Sequence, residues 1–270
     1  MTLNEAINAL REAGIESAEF DARELFKHFG SLKSHELVSR GVSLNDEIIK
    51  HRVEQRARRI PLQYIIGEVG FYREIYKVTP DCLIPREDTE ILVDYAVKHI
   101  PDGEDFIDIC TGSGCVAIST LKNTNDTRCL ALDISKAALA VAKENAEANG
   151  VFERIEFIRS DAKSFVPTKK AFAVLSNPPY VTDDEYASLK KELYHEPKIA
   201  FVGGKDGLDF YKKIVSLTKD FIKPRGFIAF EIGSGQADAL KKIAEENLMT
   251  SEIINDLSQK PRVAILKNTK

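Results

Sequence analysis

The sequence predicts an α/β protein in which a small helical domain and a β-hairpin linker precede a mostly parallel, doubly wound, seven-stranded sheet. From residue 105 onward, apolar stretches of strand length alternate with stretches of helical periodicity, which is typical of parallel sheets covered by helices. Before residue 60 the apolar spacing is helical, and residues 64–78 contain two aromatic and β-branched runs separated by a turn. We therefore expect a helical domain over residues 1–62, a hairpin linker over 63–84 and an α/β domain over 85–270.

The N-terminal domain is predicted to be a small bundle of four helices. Thr2 and Glu5 have the spacing of a capping box, and Gly14 marks the end of the first helix. The remaining helices are expected over residues 18–28, 34–39 and 45–60, the last one ended by Pro61. Residues 50–59 form a basic run inside the fourth helix, which we interpret as a solvated face, with contact to an acidic or RNA-like partner as the alternative.

The first strand of the α/β domain runs into a glycine loop, and a helix follows at residues 115–121. Glycines let backbone N–H groups approach a ligand closely, and the helix N-terminus adds a favourable partial charge. This arrangement is typical of a site for a nucleotide-like cofactor. The cofactor-binding residues predicted in the loop are Cys110, Thr111, Gly112, Ser113 and Gly114.

The next two strands each end near an acidic residue. Asp133 ends the strand at residues 128–133, about 20 residues after the loop, at the spacing typical of an acid that binds ribose hydroxyls. Asp161 and Ala162 follow the strand at 154–159, where we expect the acid to meet an adenine amino group. The glycine pattern also satisfies the dinucleotide fingerprint, so a nicotinamide-dependent dehydrogenase remains an alternative.

The fourth strand, residues 171–176, is followed by Asn177, Pro178, Pro179 and Tyr180. The prolines remove two backbone donors and fix two φ angles, so the carbonyls of Asn177 and Pro178 are held in an extended path. The Asn177 side-chain oxygen and a backbone carbonyl can then accept the two hydrogens of a planar NH2 group, with the Tyr180 ring against the conjugated plane.

This tetrapeptide predicts methyl transfer onto an amide or amino-base nitrogen, although a stiff turn after a strand is the simpler structural interpretation. Asn177, Pro178 and Tyr180 are the expected catalytic residues; they and Pro179 are expected to bind the substrate, and Asn177 also the cofactor. No dedicated base is required. The motif has no evident role in hydride transfer, so the combination favours S-adenosylmethionine over a nicotinamide cofactor.

The last strands complete the predicted sheet. A strand at residues 226–232 and a helix at 234–247 precede two strands, 252–255 and 262–266. The connection between these two is too short for a helical crossover, so we expect them to pair antiparallel. In such a sheet the glycine loop, Asp133, Asp161 and Asn177 should converge at the carboxyl ends of the central strands.

Composition narrows the class of protein. The chain has 270 residues, a net charge of −4, four cysteines and five histidines. It has no apolar run near the roughly 20 residues of a membrane span and no signal-peptide pattern, so we expect a cytoplasmic protein without membrane contact. The acidic balance argues against a general nucleic-acid binder. Neither the cysteines, expected to be buried free thiols, nor the histidines have metal-ligand spacing, and no metal is predicted.

Several motifs together resemble the bacterial-type peptide chain release factor N5-glutamine methyltransferases, nearly end to end. They lie at residues 61–67, 83–90, 108–114, 132–145, 176–180, 196–197, 203–208 and 231–233. The tetrapeptide alone is shared with DNA adenine methyltransferases; residues 85–90 and the helical N-terminal domain narrow the choice. In this sequence Cys110 stands where the family usually has glycine, and residues 256–262 replace a glycine-containing link.

The resemblance implies a Rossmann-like, seven-stranded, S-adenosylmethionine-dependent methyltransferase domain that releases S-adenosylhomocysteine. It further implies that the partner is a class 1 peptide chain release factor, methylated on the glutamine of its Gly-Gly-Gln motif, and that no nucleic acid is a direct substrate. The helical domain over residues 1–62 is then the substrate-recognition domain. Three alternatives remain open: an amino-methyltransferase acting on a DNA or rRNA base, the dehydrogenase, and a non-catalytic binding protein that retains the fold.

Overall fold

The computed structural model describes residues 1–30 and 47–268, together with residues 32, 35 and 37. The chain forms two compact units. The first, here called the helical unit, consists of Met1–Glu68 and the separate segment Lys190–His195. The second, here called the α/β unit, consists of Val69–Leu189 and Glu196–Lys270.

The described residues of the helical unit form the helices α1 (Leu3–Glu12), α2 (Ala18–Gly30), α3 (Glu47–Ala57) and α4 (Leu62–Ile66). The predicted capping box is confirmed: Thr2 Oγ1 accepts the Glu5 N–H at 3.1 Å, and Glu5 Oε2 accepts the Thr2 N–H at 2.7 Å. The helices bury one apolar cluster, to which Leu10, Phe26 and Ile49 contribute. The helix predicted over residues 34–39 falls outside the described residues, apart from positions 35 and 37.

A two-stranded sheet follows, formed by β1 (Glu68–Phe71) and β2 (Glu74–Lys77). The predicted hairpin is therefore present, but the prediction of extended structure from Tyr64 onward is wrong. Leu62 and Ile65 lie three positions apart and both enter the core of the helical unit, which favours a turn of helix over a strand. Gly67, with φ +90°, then ends α4.

The α/β unit contains seven strands that form one sheet, and the helices between them. The strands are β3 (Phe106–Ile109), β4 (Cys129–Asp133), β5 (Ile155–Arg159), β6 (Ala171–Ser176), β7 (Ile222–Glu231), β8 (Met249–Asn255) and β9 (Pro261–Asn268). The helices are α5 (Glu90–His99), α6 (Cys115–Lys122), α7 (Lys136–Ala148), α8 (Asp183–Ala187), α9 (Asp209–Thr218) and α10 (Ala237–Glu246). Among the described residues, no helix has the length and apolar content to cross a membrane.

The strand order is β5-β4-β3-β6-β7-β9-β8, with β9 antiparallel to both neighbours and the other pairs parallel. The predicted seven-stranded sheet with one reversed strand is confirmed. Every residue of β3 and β6 is buried, as expected for central strands covered on both faces. The chain winds from β3 toward β5 on one side and from β6 toward β8 on the other, so a crevice opens at the carboxyl ends of β3 and β6.

Candidate functional site

A cavity of about 360 Å³ lies at this edge of the sheet, within the α/β unit. Its volume is within the range of roughly 300–1,000 Å³ that is usual for small-molecule sites. It brings together most of the predicted cofactor-binding residues: Cys110, Thr111, Gly112, Ser113, Asp133, Asp161, Ala162 and Asn177. Of the predicted substrate-binding residues, Asn177 and Pro179 line it, whereas Pro178 and Tyr180 do not.

The glycine loop turns sharply after β3. Cys110, Gly112 and Gly114 all have positive φ, at +62°, +56° and +83°. Gly114 is not among the described residues that line the cavity, and a Cβ on it would lie 3.2 Å from the Ala142 Cβ. Gly114 therefore allows α6 to pack closely against α7, and its predicted contact with the cofactor stays a prediction.

Cys110 adopts its left-handed conformation without the freedom of a glycine, at a cost of about 1–2 kcal/mol. Burial raises the pKa of its thiol well above the ordinary value, and the nearby Asp133 acts in the same direction. The thiol is therefore neutral, and it is a small side chain in the wall of the cavity.

Asp133 braces the glycine loop from the end of β4. Its Oδ2 accepts the Gly112 N–H at 3.0 Å and its Oδ1 accepts the Ser135 N–H at 2.9 Å. Burial raises the pKa of Asp133, whereas these backbone hydrogen bonds lower it. Each carboxylate oxygen keeps lone-pair capacity for a hydroxyl group in the cavity.

Asp161 and Ala162 present an acceptor and a donor side by side after β5. Asp161 Oδ1 accepts the Lys163 N–H at 2.8 Å. Within the described ranges, Asp161 Oδ2 and the Ala162 N–H have no hydrogen-bond partner. Both residues line the cavity, so this acceptor and this donor are available to a ligand.

The predicted nitrogen-presenting tetrapeptide leaves β6 beside the cavity. Ser176 Oγ donates to the Ile109 carbonyl at 2.5 Å, which ties the ends of β6 and β3 together. Asn177 Nδ2 donates to Thr89 Oγ1 at 3.3 Å. Neither Asn177 Oδ1 nor the Pro178 carbonyl accepts a hydrogen bond from any residue that the structure describes. The site therefore has two adjacent acceptors without an internal donor.

A buried carboxylate that sequence reasoning missed lies behind this tetrapeptide. Glu231, 2% exposed, accepts hydrogen bonds from the hydroxyl groups of Thr89 and Tyr180, the latter at 3.2 Å. Burial raises the pKa of Glu231, whereas the two hydroxyl donors and Arg262 lower it. Its signal in the sequence is an acid at the end of the apolar strand at 226–231.

Thr89 does not cap the helix that it precedes. It precedes α5, where a threonine usually caps the helix, but its side chain makes no capping hydrogen bond. The hydroxyl instead donates to Glu231, and Thr89 is 2% exposed.

Two glycines make room for the tetrapeptide. A Cβ on Gly203 would lie 2.4 Å from the Pro179 carbonyl oxygen and 2.7 Å from the Tyr180 Cα, and one on Gly207 would lie 2.3 Å from the Tyr180 carbonyl oxygen. Gln236 Nε2 donates to that same Tyr180 carbonyl at 3.0 Å. The backbone after β6 is therefore held on several sides.

Another segment of the cavity wall begins at an ion pair whose carboxylate is buried and whose arginine is partly exposed. Glu196, 4% exposed, pairs with Arg86 and accepts the Ile84 N–H at 2.9 Å. The chain continues from Glu196 into Pro197 and Ile199, which line the cavity. This pair therefore fixes the start of a wall segment.

Two family models match the chain. The PrmC N-terminal domain matches residues 2–67, and the Methyltransferase small domain matches residues 87–200. A release factor glutamine methyltransferase of Thermodesulfovibrio yellowstonii is 36% identical over an alignment that covers 93% of this chain and 92% of the relative. Another, of Clostridium acetobutylicum, is 36% identical and the alignment covers 79% of this chain and 77% of the relative.

A solved structure shares the fold. The ribosomal protein L11 methylase of Lactobacillus delbrueckii subsp. bulgaricus superposes with a TM-score of 0.53 at 19% identity. The superposition covers 73% of this chain and 86% of that chain. At this identity the likeness concerns the fold alone.

Proposed function

This chain belongs to the release factor glutamine methyltransferases, and we propose that it methylates the side-chain nitrogen of the glutamine in the Gly-Gly-Gln motif of class 1 release factors. The family resemblance inferred from the sequence is confirmed. The observation that carries the proposal is Asn177, which lines the cavity and whose Oδ1 accepts no hydrogen bond from any described residue; the neighbouring Pro178 carbonyl is likewise without a described donor. The substrates are proteins of translation, so the proposed place of action is the cytoplasm.

The proposed cofactor is S-adenosylmethionine, and the residues around the cavity fit its parts. The Asp161 carboxylate and the adjacent Ala162 N–H complement the amino group and ring nitrogen of an adenine. Asp133 offers acceptors for ribose hydroxyls, and the loop from Cys110 to Ser113 offers backbone groups for the amino-acid part. When bound, the cofactor supplies an electrophilic methyl group on sulfur.

The residues after β6 would present the nitrogen. Amide resonance, which also causes a rotation barrier of about 18–20 kcal/mol, makes this nitrogen a poor nucleophile. Asn177 Oδ1 and the Pro178 carbonyl each accept one amide hydrogen, which fixes the plane of the amide and directs the nitrogen lone pair into the cavity. Such alignment can contribute up to about 7–11 kcal/mol. Stacking of Tyr180 on the amide stays a prediction, since its ring does not line the cavity.

The proposed methyl transfer needs no dedicated base to remove a proton. The new N–CH3 bond forms as the S–CH3 bond breaks, which yields S-adenosylhomocysteine and a cationic nitrogen. An alkylated amide nitrogen is acidic and gives its proton to water. No histidine is found among the described residues that line the cavity.

The helical unit is the proposed recognition element for the release factor. The match of residues 2–67 to the PrmC N-terminal domain supports this proposal. The segment Lys190–His195, which folds with the helical unit, belongs to the same proposed element.

The decisive experiment combines the purified protein, S-adenosylmethionine and a folded class 1 release factor, with DNA and rRNA as parallel acceptors. We expect a single added methyl group, mapped by peptide mass spectrometry to the Gly-Gly-Gln glutamine. A methyl group found on nucleic acid, with the release factor unmodified, would leave the methyl-transfer chemistry intact and refute the substrate. Binding of NAD without S-adenosylhomocysteine would favour the dehydrogenase instead.

The Asn177→Ala variant tests whether the Asn177 side-chain oxygen presents the substrate nitrogen. Loss of the side-chain oxygen removes one of the two acceptors, so we expect turnover to fall by about 100-fold or more while the protein stays folded. Circular dichroism and thermal unfolding provide the control for folding. Full turnover in a folded Asn177→Ala variant would refute the proposed presentation.

A further inference from the structure

We propose that Glu231 is a positioning residue that acts through Thr89 to hold the Asn177 amide with its oxygen toward the cavity. The inference rests on the proposed function and deepens it, because it says what sets the direction of the presenting group. Glu231 does not line the cavity, and it contacts Asn177 through Thr89.

The orientation of the Asn177 amide follows from the number of hydrogens that each neighbouring group can donate. Both side-chain oxygens of Glu231 accept in the structure: Oε1 accepts from the Tyr180 hydroxyl and Oε2 from the Thr89 hydroxyl. The Thr89 hydroxyl has one hydrogen, and it donates this hydrogen to Glu231. Its oxygen can therefore only accept from Asn177.

Only the Nδ2 end of the Asn177 amide can donate. Nδ2 therefore faces Thr89, at 3.3 Å, and Oδ1 is turned to the opposite side. That is the side on which Oδ1 meets no donor from the described chain. The reversed amide would place an NH2 group against the hydrogens of the substrate nitrogen, and two donors cannot bond each other.

The surroundings hold this arrangement in place. Glu231 and Thr89 are each 2% exposed, so water does not compete for their hydrogen bonds. The Tyr211 hydroxyl donates to the backbone carbonyl of Glu231 at 3.0 Å, which fixes the end of β7. Glu231 also holds the hydroxyl of Tyr180, so one carboxylate orients side chains at both ends of the tetrapeptide.

Glu231, Thr89 and Asn177 form a chain of hydrogen bonds, here called the relay. Thr89→Val tests the relay, because valine keeps the shape of threonine and lacks the hydroxyl. We expect kcat to fall about tenfold, the equivalent of one lost hydrogen bond, with the KM for S-adenosylmethionine unchanged. Thr89→Ser, which retains a hydroxyl, should restore most of kcat. Thr218→Val is the matched control: its buried hydroxyl donates to the Ile214 carbonyl inside α9, and we expect kcat to stay at the wild-type value.

Two kinetic results would overturn the relay. One is a Thr89→Val enzyme with the wild-type kcat. The other is a Thr89→Ser enzyme as impaired as Thr89→Val. In that case a hydroxyl at position 89 would not be enough for activity, as the relay requires.

A structural measurement tests the relay independently of enzyme turnover. In a crystal structure with S-adenosylhomocysteine at about 1.2 Å resolution or better, the Asn177 amide hydrogens should point at Thr89. Hydrogens on the opposite side of the amide would refute the relay whatever the substrate. If the wild-type protein methylates no release factor while this orientation is observed, the proposed substrate fails and the relay stands.

Discussion

Asp108 is a carboxyl group buried in the centre of the sheet, 1% exposed, directly before the glycine loop. Thr111 Oγ1 donates to its Oδ2 at 2.6 Å. Burial raises the pKa of Asp108 to about 7, and the Thr111 hydrogen bond only partly offsets this. The residue therefore stays protonated in the folded protein at pH values at which it ionises in the unfolded chain.

This difference predicts how stability depends on pH. The unfolded aspartate has a pKa of about 3.9, so between that value and about 7 the folded state binds more protons. The contribution of Asp108 is fully present below about pH 4 and is lost as the pH rises through about 7. Compared with Asp108→Asn, which cannot ionise, the wild type should lose free energy of unfolding between about pH 5 and about pH 8, as measured by urea denaturation.

The comparison with the variant isolates this one group. Burial also raises the pKa values of Asp133 and Glu231, but these groups are common to both proteins and cancel in the difference. Parallel stability curves for wild type and Asp108→Asn would show that Asp108 is ionised alike in the folded and unfolded states.

Single residues of the site were predictable where the backbone topology alone places them. Asp133 ends a parallel strand, Asp161 and Asn177 each follow one, and parallel strands end at the same edge of a sheet. Thr89 and Glu231 were not predictable in this way, because they are 142 positions apart and meet only through side-chain packing. The pattern also could not tell whether Gly114 faces a ligand or a neighbouring helix, since both uses need the same residue.

Among the elements, the segment that leaves β6 is closely enclosed by neighbouring chain. Pro178 and Pro179 are buried, and Val181 pairs with Val202 in an isolated parallel bridge. Gly203 is buried against the carbonyl of Pro179. The chain at residues 202–207 therefore packs directly against the segment after β6 and limits where that segment can lie.

Gly203→Ala should displace this segment. The added Cβ would lie 2.4 Å from the Pro179 carbonyl oxygen, and backbone must move to admit it. We expect a loss of about 1–3 kcal/mol in stability, and about 100-fold in kcat if the presenting atoms shift by about 1 Å. Thermal unfolding and steady-state kinetics measure the two effects.

Gly235→Ala is the matched control for this substitution. A Cβ on the exposed Gly235 would meet no atom within 4 Å, and its φ is not in the left-handed region. It should leave stability and kcat near the wild-type values. Equal behaviour of the two alanine variants would mean that Gly203 does not hold the tetrapeptide.

The bounds of an element were predictable where the apolar run fits a buried strand and does not fit a helix. The predicted strand at residues 171–176 coincides with β6, because a continuous apolar run of five residues, followed by Ser176, is too short for a core helix. The same reasoning was wrong for residues 64–66. There Leu62, just before the predicted run, pairs with Ile65 to form the buried face of α4, and their burial in the helical unit outweighs β propensity.

At the scale of the whole molecule, the helical unit is discontinuous in sequence. Arg56, in the basic run of α3, is buried and lies 2.6 Å from Asp21 Oδ2 and 3.0 Å from Glu192 Oε1. Glu192 belongs to the segment Lys190–His195, 136 positions away. Interpreting residues 50–59 as a solvated face therefore fails for Arg56, because a long-range ion pair cannot be read from local charge patterning. The domain boundaries at residues 62 and 84 stay a prediction.

Arg56→Ala should destabilise the helical unit alone. It leaves the buried Asp21 carboxylate without its cation, which typically costs about 3–5 kcal/mol. Hydrogen exchange of the α1, α2 and α3 amides should become faster, while the affinity for S-adenosylhomocysteine should not change, because every residue that lines the cavity belongs to the α/β unit.

Arg58→Ala supplies the control, since Arg58 follows α3, is exposed and makes no ion pair with any described residue. It should leave exchange unchanged. If the uncompensated charge is the cause in Arg56→Ala, adding Asp21→Asn should slow the exchange again, because a neutral amide is less costly to bury than a lone carboxylate. Unchanged exchange in Arg56→Ala would mean that apolar packing, and not this ion pair, holds the helical unit together. In that case the docking of Lys190–His195 would have to depend on contacts other than those of Arg56.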